Sequence, residues 1–170
     1  MSELPKQPWT ELSIDFGLAP TGSNEYILVL IDNYSRFPIV ELVRSTSSNA
    51  VIPCLDKMFS EYGIPEVLRS DNGPPFNSRE FNKFAKHLGF THRKVTPYWP
   101  RANGEVERFM RTVKKVIKEN KVWKKQEMYK FLRNYRATPH VNQNPTSHCT
   151  VWPSNENSFA TNRKKVQLTG

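Results

Sequence analysis

The chain opens on an alternating pattern. Across residues 9–18 (WTELSIDFGL), Leu12, Ile14 and Phe16 fall on one side, and Glu11, Ser13 and Asp15 on the other. That period of two predicts a half-buried strand with an outward polar face. A turn at 21–24 leads into YILVLI at 26–31, an unbroken apolar run of the kind a strand shows when both its faces are covered. Asn33-Tyr34-Ser35-Arg36 turns the chain again, and 37–43 (FPIVELV) reads as a third strand. Joined by short turns, these three make an antiparallel meander.

The period then changes to that of a helix. From Ser47 or Ser48 to about residue 62, Val51, Leu55, Met58 and Phe59 share a face, with Pro53 tolerable only near the start. Residues 67–70 form a short strand of parallel type, broken by Asp71-Asn72-Gly73-Pro74-Pro75. Asn77 or Ser78 caps a second helix, which Gly89 closes, and 91–95 is a fifth strand. Beyond a Pro-bracketed loop at 96–102, a helix over about 103–120 lines up Val106, Phe109, Met110, Val113, Val116 and Ile117. Another helix covers about 124–137. The order predicts an α/β domain: a five-stranded mixed sheet, three antiparallel strands then two more, with helices on its faces.

Composition narrows the function. At 170 residues the chain has the size of one domain. No apolar stretch approaches the roughly 18 residues of a membrane span. Residues 1–9 hold Glu3, Pro5, Lys6 and Pro8 and do not read as a secretory signal. Cys54 and Cys149 are far apart, which suggests neither a disulfide framework nor a zinc site, and a reducing compartment is expected. The net charge of +9 is local: residues 93–136 carry 14 Lys and Arg against four Glu, whereas the remainder has 11 basic and 12 acidic residues. A basic stripe this dense is either a solvated helix face or a footprint for a phosphate backbone. The aromatics interleaved with it, among them Tyr98, Trp99, Phe109, Trp123, Tyr129 and Tyr135, are expected mostly in the core.

Three acids stand where strand or helix ends can present them to one point. Asp15 lies on the polar side of the first strand, Asp71 just beyond the fourth, and Glu107 in the first turn of the basic helix. Singly, each has an ordinary explanation: an exposed strand acid, a turn residue, a favourable charge at a helix N-terminus. Arg111 and Lys114, four and seven residues beyond Glu107, lie along the same helix side, and Lys115 and Lys118 extend the stripe. Asp32 is a rival acid, but it ends a doubly buried strand before a turn and reads as structural.

Several blocks, in order, carry a resemblance. They are Trp9 with Leu12-Ser13-Ile14-Asp15-Phe16; Leu30-Ile31-Asp32-Asn33-Tyr34-Ser35-Arg36; Gly63-Ile64-Pro65; Ser70-Asp71-Asn72-Gly73-Pro74-Pro75-Phe76; and the run from Thr96 to Arg108 (TPYWPRANGEVER). Asp71 and Glu107 have 35 residues between them. Over roughly residues 5–140 the chain resembles the catalytic core of retroviral and gypsy-type retrotransposon integrases. The resemblance implies an RNase H-like fold. It implies Asp15, Asp71 and Glu107 as catalytic residues and ligands of two Mg²⁺ or Mn²⁺ ions, and selects Glu107 over Glu105. It implies Arg101 and Asn103 in a loop that approaches DNA, alongside contacts from Arg111, Lys114, Lys115 and Lys118. The activity implied is phosphodiester cleavage and strand transfer on DNA, with element ends and a target duplex as partners, a homodimer through the core, no membrane, and a nuclear setting. The alternative is an idle or co-opted binding module on the same fold; an isolated nuclease is a third reading.

The expected organisation is a linker remnant at 1–8, the core at 9–140 and an irregular tail at 141–170. His87, His92, His140 and His148 lack the spacing of the zinc-binding domain that precedes the core in family members. In the tail Asn, Gln, Ser and Thr dominate and periodicity vanishes. The codons for Val151-Trp152-Pro153, read one base later, permit Phe-Gly, as the family continuation would have; a frameshift near 141 is the expected cause of the change of character.

Overall fold

The structure, a computed structural model, describes residues 5–18, 24–95, 104–119 and 125–138. Among the described residues, five strands and four helices run as a three-stranded meander followed by crossovers: β1 (Glu11–Leu18), β2 (Tyr26–Asp32), β3 (Pro38–Val43), α1 (Ser48–Tyr62), β4 (Val67–Ser70), α2 (Arg79–Leu88), β5 (Thr91–Lys94), α3 (Gly104–Glu119) and α4 (Lys125–Ala137). The sheet order is β3-β2-β1-β4-β5. β1 pairs antiparallel with β2, and β2 with β3; β4 lies parallel to β1, and β5 parallel to β4. The expected five-stranded mixed sheet is the one observed.

Two cores explain why both periods appear in the sequence. On one face, Leu12, Ile14, Leu28, Leu30 and Leu68 pack with Val51, Leu55, Met58 and Phe59 of α1 and Phe81 and Phe84 of α2. On the other, Ile27, Val29, Ile31 and Val40 pack with Val106, Phe109, Met110 and Val113 of α3 and Met128 and Leu132 of α4. β2 feeds even positions to one core and odd positions to the other, which is why it has no polar gap. Ser78 caps α2 by accepting from Phe81 N–H, and Gly89 ends it in the left-handed conformation at φ 79°, where a side chain would be strained. Ser47 stands at the N-cap of α1 and Pro53 within it.

β1 departs from its reading. Its polar side was expected in water, yet Glu11 and Ser13 are buried and only Asp15 is half-buried. The cause is topological: β1 is the middle strand of five, so α3 and the neighbouring strands cover the side that alternation marks as outward. Among the basic-region aromatics, Phe109 is buried and Tyr135 packs on it with ring centroids 4.8 Å apart. Tyr129, however, is 47% exposed, on the outer side of α4. Tyr98, Trp99 and Trp123 lie outside the described residues, as do residues 1–4 of the expected linker and the whole expected tail, 141–170.

Candidate active site

The parallel pairing of β1 with β4 runs through Glu11–Val67, Leu12–Leu68 and Ser13–Arg69. Asp15 and Asp71 each stand two residues beyond the last of these pairs, so alternation sends both side chains to the same side of the sheet. That side carries α3. The strand order also reverses here: β1 leads to β2 on one side, and β4 enters on the other after a crossover through α1. A crevice at such a switch point is the ordinary place for a ligand in an open α/β sheet.

α3 approaches β1 closely. A Cβ on Gly17 would overlap the end of Met110, so glycine allows the helix to settle on the strand. With Val106, Phe109, Met110 and Val113 buried against the sheet, helical spacing leaves Glu107, Arg111, Lys114 and Lys115 exposed.

The electrostatics of Asp15 record which groups gather around it. Burial is the largest influence and pushes its carboxyl above the ordinary carboxylate range. The hydrogen bond from Phe16 N–H to Oδ1, at 2.8 Å, opposes that rise. The charges of Asp71 and Glu107 raise it further, and the Lys114 ammonium lowers it. Two acids, from the β4 end and α3, and a lysine from α3 therefore act through space on the Asp15 carboxyl. Asp71 Oδ1 also accepts from Gly73 N–H at 3.1 Å, which ties the carboxylate to its own turn. Phe16 stacks on Phe76 with centroids 5.5 Å apart, linking the strand of Asp15 to the segment after Asp71.

The donor set is all carboxylate oxygen, the chemistry of a hard cation such as Mg²⁺. A cation would also relieve the repulsion that Asp15 experiences. Among the described residues, no three His, Cys, Asp or Glu side chains stand close enough to form a ready-made metal cage. Mg²⁺ does not need one: it is usually held by one or two carboxylates, keeping waters and substrate phosphate oxygens.

Of the remaining sequence candidates, Arg101 and Asn103 lie outside the described residues, and so does the Lys118 side chain. Asp32 is structural as read: it is fully buried and accepts from Tyr34 N–H, Ser35 N–H and the Ser35 hydroxyl. Its carboxyl is pushed up by burial, against those hydrogen bonds.

Two features escaped the sequence reading. Ser70 is buried, and its Oγ lies 2.7 Å from the Asp71 carbonyl, to which it donates, and 2.7 Å from His92 Nε2. A hydroxyl has one proton, so the imidazole N–H donates to Ser70 when Ser70 donates to the carbonyl. Second, Glu11 and Arg69 form a buried ion pair joined by Asn33 and Ser13. One signal for it was present: an arginine inside a short strand of parallel type must find a partner. Its partner is 58 positions away.

A family model described as the integrase core domain matches residues 5–100. An uncharacterized protein of Caenorhabditis elegans is 37% identical over 140 residues, 81% of this chain and 11% of that protein. The Gag-Pol polyprotein of gibbon ape leukemia virus is 34% identical over 116 residues, 65% of this chain and 7% of that protein. The chain thus spans about a tenth of the length of these relatives. Among solved structures, the HTLV-2 integrase catalytic core domain in complex with magnesium (trimeric form) superposes with a TM-score of 0.66 at 20% identity, covering 82% of this chain and 93% of that one. A simian T-cell lymphotropic virus intasome in complex with PP2A regulatory subunit B56 gamma gives 0.74 at 19% identity, covering 91% and 58%. These likenesses show the fold, the RNase H-like sheet of integrase catalytic cores.

Proposed function

Because the chain belongs to the integrase core domain family, we propose that it is a polynucleotidyl-transferase core that cuts and joins DNA phosphodiester bonds with divalent metal ions. The observation that carries this reading is the convergence on Asp15: acids from two other elements, and one lysine, act on its carboxyl.

In this reading Asp15, Asp71 and Glu107 hold two Mg²⁺ or Mn²⁺ ions. When bound, such ions activate an attacking oxygen and stabilise the leaving one. The chain itself supplies position and charge. Asp15 is fixed from its own strand by the Phe16 N–H, Asp71 by the Gly73 N–H, and Glu107 by the packing of α3 on β1 and β2. The Lys114 ammonium acts through space on the Asp15 carboxyl, and Arg111 and Lys115 are exposed on the same helix. These cations hold the phosphates of the duplex without reading its bases. Element ends and a target duplex are the proposed substrates, the nucleus the proposed setting, and a homodimer the proposed assembly. Support for assembly comes from relatives only: the HTLV-2 core is described in dimeric and trimeric forms.

The test is a strand-transfer and disintegration assay on the purified chain. Product should form with Mg²⁺ or Mn²⁺ and vanish with chelator, and with Asp15→Asn, Asp71→Asn or Glu107→Gln. A chain that binds duplex DNA but yields no product with either ion is the co-opted binding module instead.

A further inference from the structure

The proposed chemistry has no use for the cluster of Glu11, Ser13, Asn33 and Arg69. All four are buried. Arg69 Nη2 donates to Glu11 Oε2 at 3.0 Å, and Nε faces Oε1 at 3.0 Å as a charge contact. Asn33 Nδ2 donates to Glu11 Oε1 at 2.9 Å, and Ser13 Oγ donates to Asn33 Oδ1 at 2.9 Å. The four side chains come from β1, from β4 and from the turn just beyond β2.

Stability is a poor explanation for this cluster. Desolvating two charges offsets most of their attraction, and apolar replacements of a buried pair are often neutral or stabilising. Position is a better one. Ser13 and Arg69 are the last pair of the β1–β4 ladder, and Asp15 and Asp71 stand two residues further along the same strands. Past that pair the separation of the two carboxylates depends on what holds the ladder's end. The Arg69–Glu11 fork joins the two strands there, and Asn33 ties in β2.

We infer that the Glu11–Arg69 pair, with Asn33 and Ser13, is a positioning device that sets the spacing and orientation of Asp15 and Asp71 for a small divalent ion. The inference rests on the proposed metal-binding role of those two acids. All four are buried, so in this reading they act on the site through the strands. The physical consequence is selectivity. Mg²⁺ demands near-octahedral ligands at about 2.0–2.1 Å, whereas Ca²⁺ accepts a looser shell at about 2.3–2.6 Å. Loosening the strand ends therefore costs Mg²⁺ more than Ca²⁺.

The experiment compares Mg²⁺ and Ca²⁺ binding by calorimetry in the wild type, in a Glu11→Met/Arg69→Met double variant, and in Arg69→Lys and Ser13→Ala. Unfolding and duplex affinity are measured alongside. The double variant should unfold cooperatively and keep its duplex affinity within about twofold, while Mg²⁺ affinity falls about tenfold, the lower end for lost supporting contacts at a metal site. Ca²⁺ affinity should fall less than about threefold. Arg69→Lys, which keeps the charge but not the fork, should lie between. Mg²⁺ affinity at the wild-type level, or Mg²⁺ and Ca²⁺ weakened together, overturns the inference. Should the double variant fail to fold, the Mg²⁺-to-Ca²⁺ ratio in Ser13→Ala decides by the same criteria. A wild-type chain that binds neither ion refutes the metal-site reading and the inference with it; binding that the variants leave unchanged refutes the inference alone.

Discussion

At Asp15 a carboxylate is held where burial and two like charges disfavour its ionised form. Without metal, Asp15→Asn should raise stability by about 0.5–1 kcal/mol, because the amide carries no charge to desolvate. With Mg²⁺ the order should reverse. At tenfold its Kd the ion stabilises the wild type by about 1.4 kcal/mol through mass action, and the variant should gain nothing; melting with and without Mg²⁺ checks both signs. Asp32 offers a pH test at a residue outside the proposed metal ligands. Its folded pKa lies above the ordinary value through burial. A raised acid gives stability that is fully present below its unfolded pKa and lost as pH rises through the folded one. The advantage of wild type over Asp32→Asn should therefore be larger near about pH 4 than near about pH 7 in urea unfolding. The opposite trend would mean that the hydrogen bonds from Tyr34 and Ser35 outweigh desolvation.

At the scale of elements, the seat of α3 on β1 decides where Glu107 and Lys114 stand. Gly17 is a point of close approach, with Met110 over it. Gly17→Ala should cost about 1 kcal/mol, since the Met110 methyl can swing aside but is 3% exposed and has little room. Gly17→Val should cost about 2–3 kcal/mol by lifting the helix, and should lower strand-transfer rate more than duplex affinity. Equal loss of both would show that α3 acts as a DNA contact and not as the carrier of a catalytic acid. α4 is anchored at its far end: Arg136 Nη2 donates to the Pro38 carbonyl at 2.6 Å, and its guanidinium lies 4.4 Å from the Phe37 ring centre. The last turn of the helix is thus held to the edge strand β3, while Met128 and Leu132 bury its earlier turns against the sheet.

For the whole molecule the charge distribution makes the prediction. A surplus confined to residues 93–136 should give duplex affinity that falls steeply with salt and varies little with sequence. Neutralising about four phosphates corresponds to a log–log slope near −4. Arg111→Ala with Lys115→Ala should flatten that slope by about 2 and weaken all duplexes alike. A slope unchanged by the double variant would return this face of α3 to plain solvation.

Much of this architecture is local in origin. The unbroken run in β2, the period of two in β1, the Ser78 cap and the Gly89 stop each report the spacing of side chains along a short stretch. The elements they define appear within a residue or two of their expected ends. The charge surplus, too, is a property of composition. What the chain alone left open was which faces would be covered. β4 enters the sheet beside β1 only after a crossover, so β1 becomes central and its polar side goes inside. That placement buries Glu11 with Arg69, 58 positions apart, and half-buries Asp15 among acids from two other elements. Tyr129 stayed exposed although its neighbours suggested a core. Periodicity senses neighbours along the chain, whereas burial and pKa are set by neighbours in space, and those were settled only when the five strands took their order.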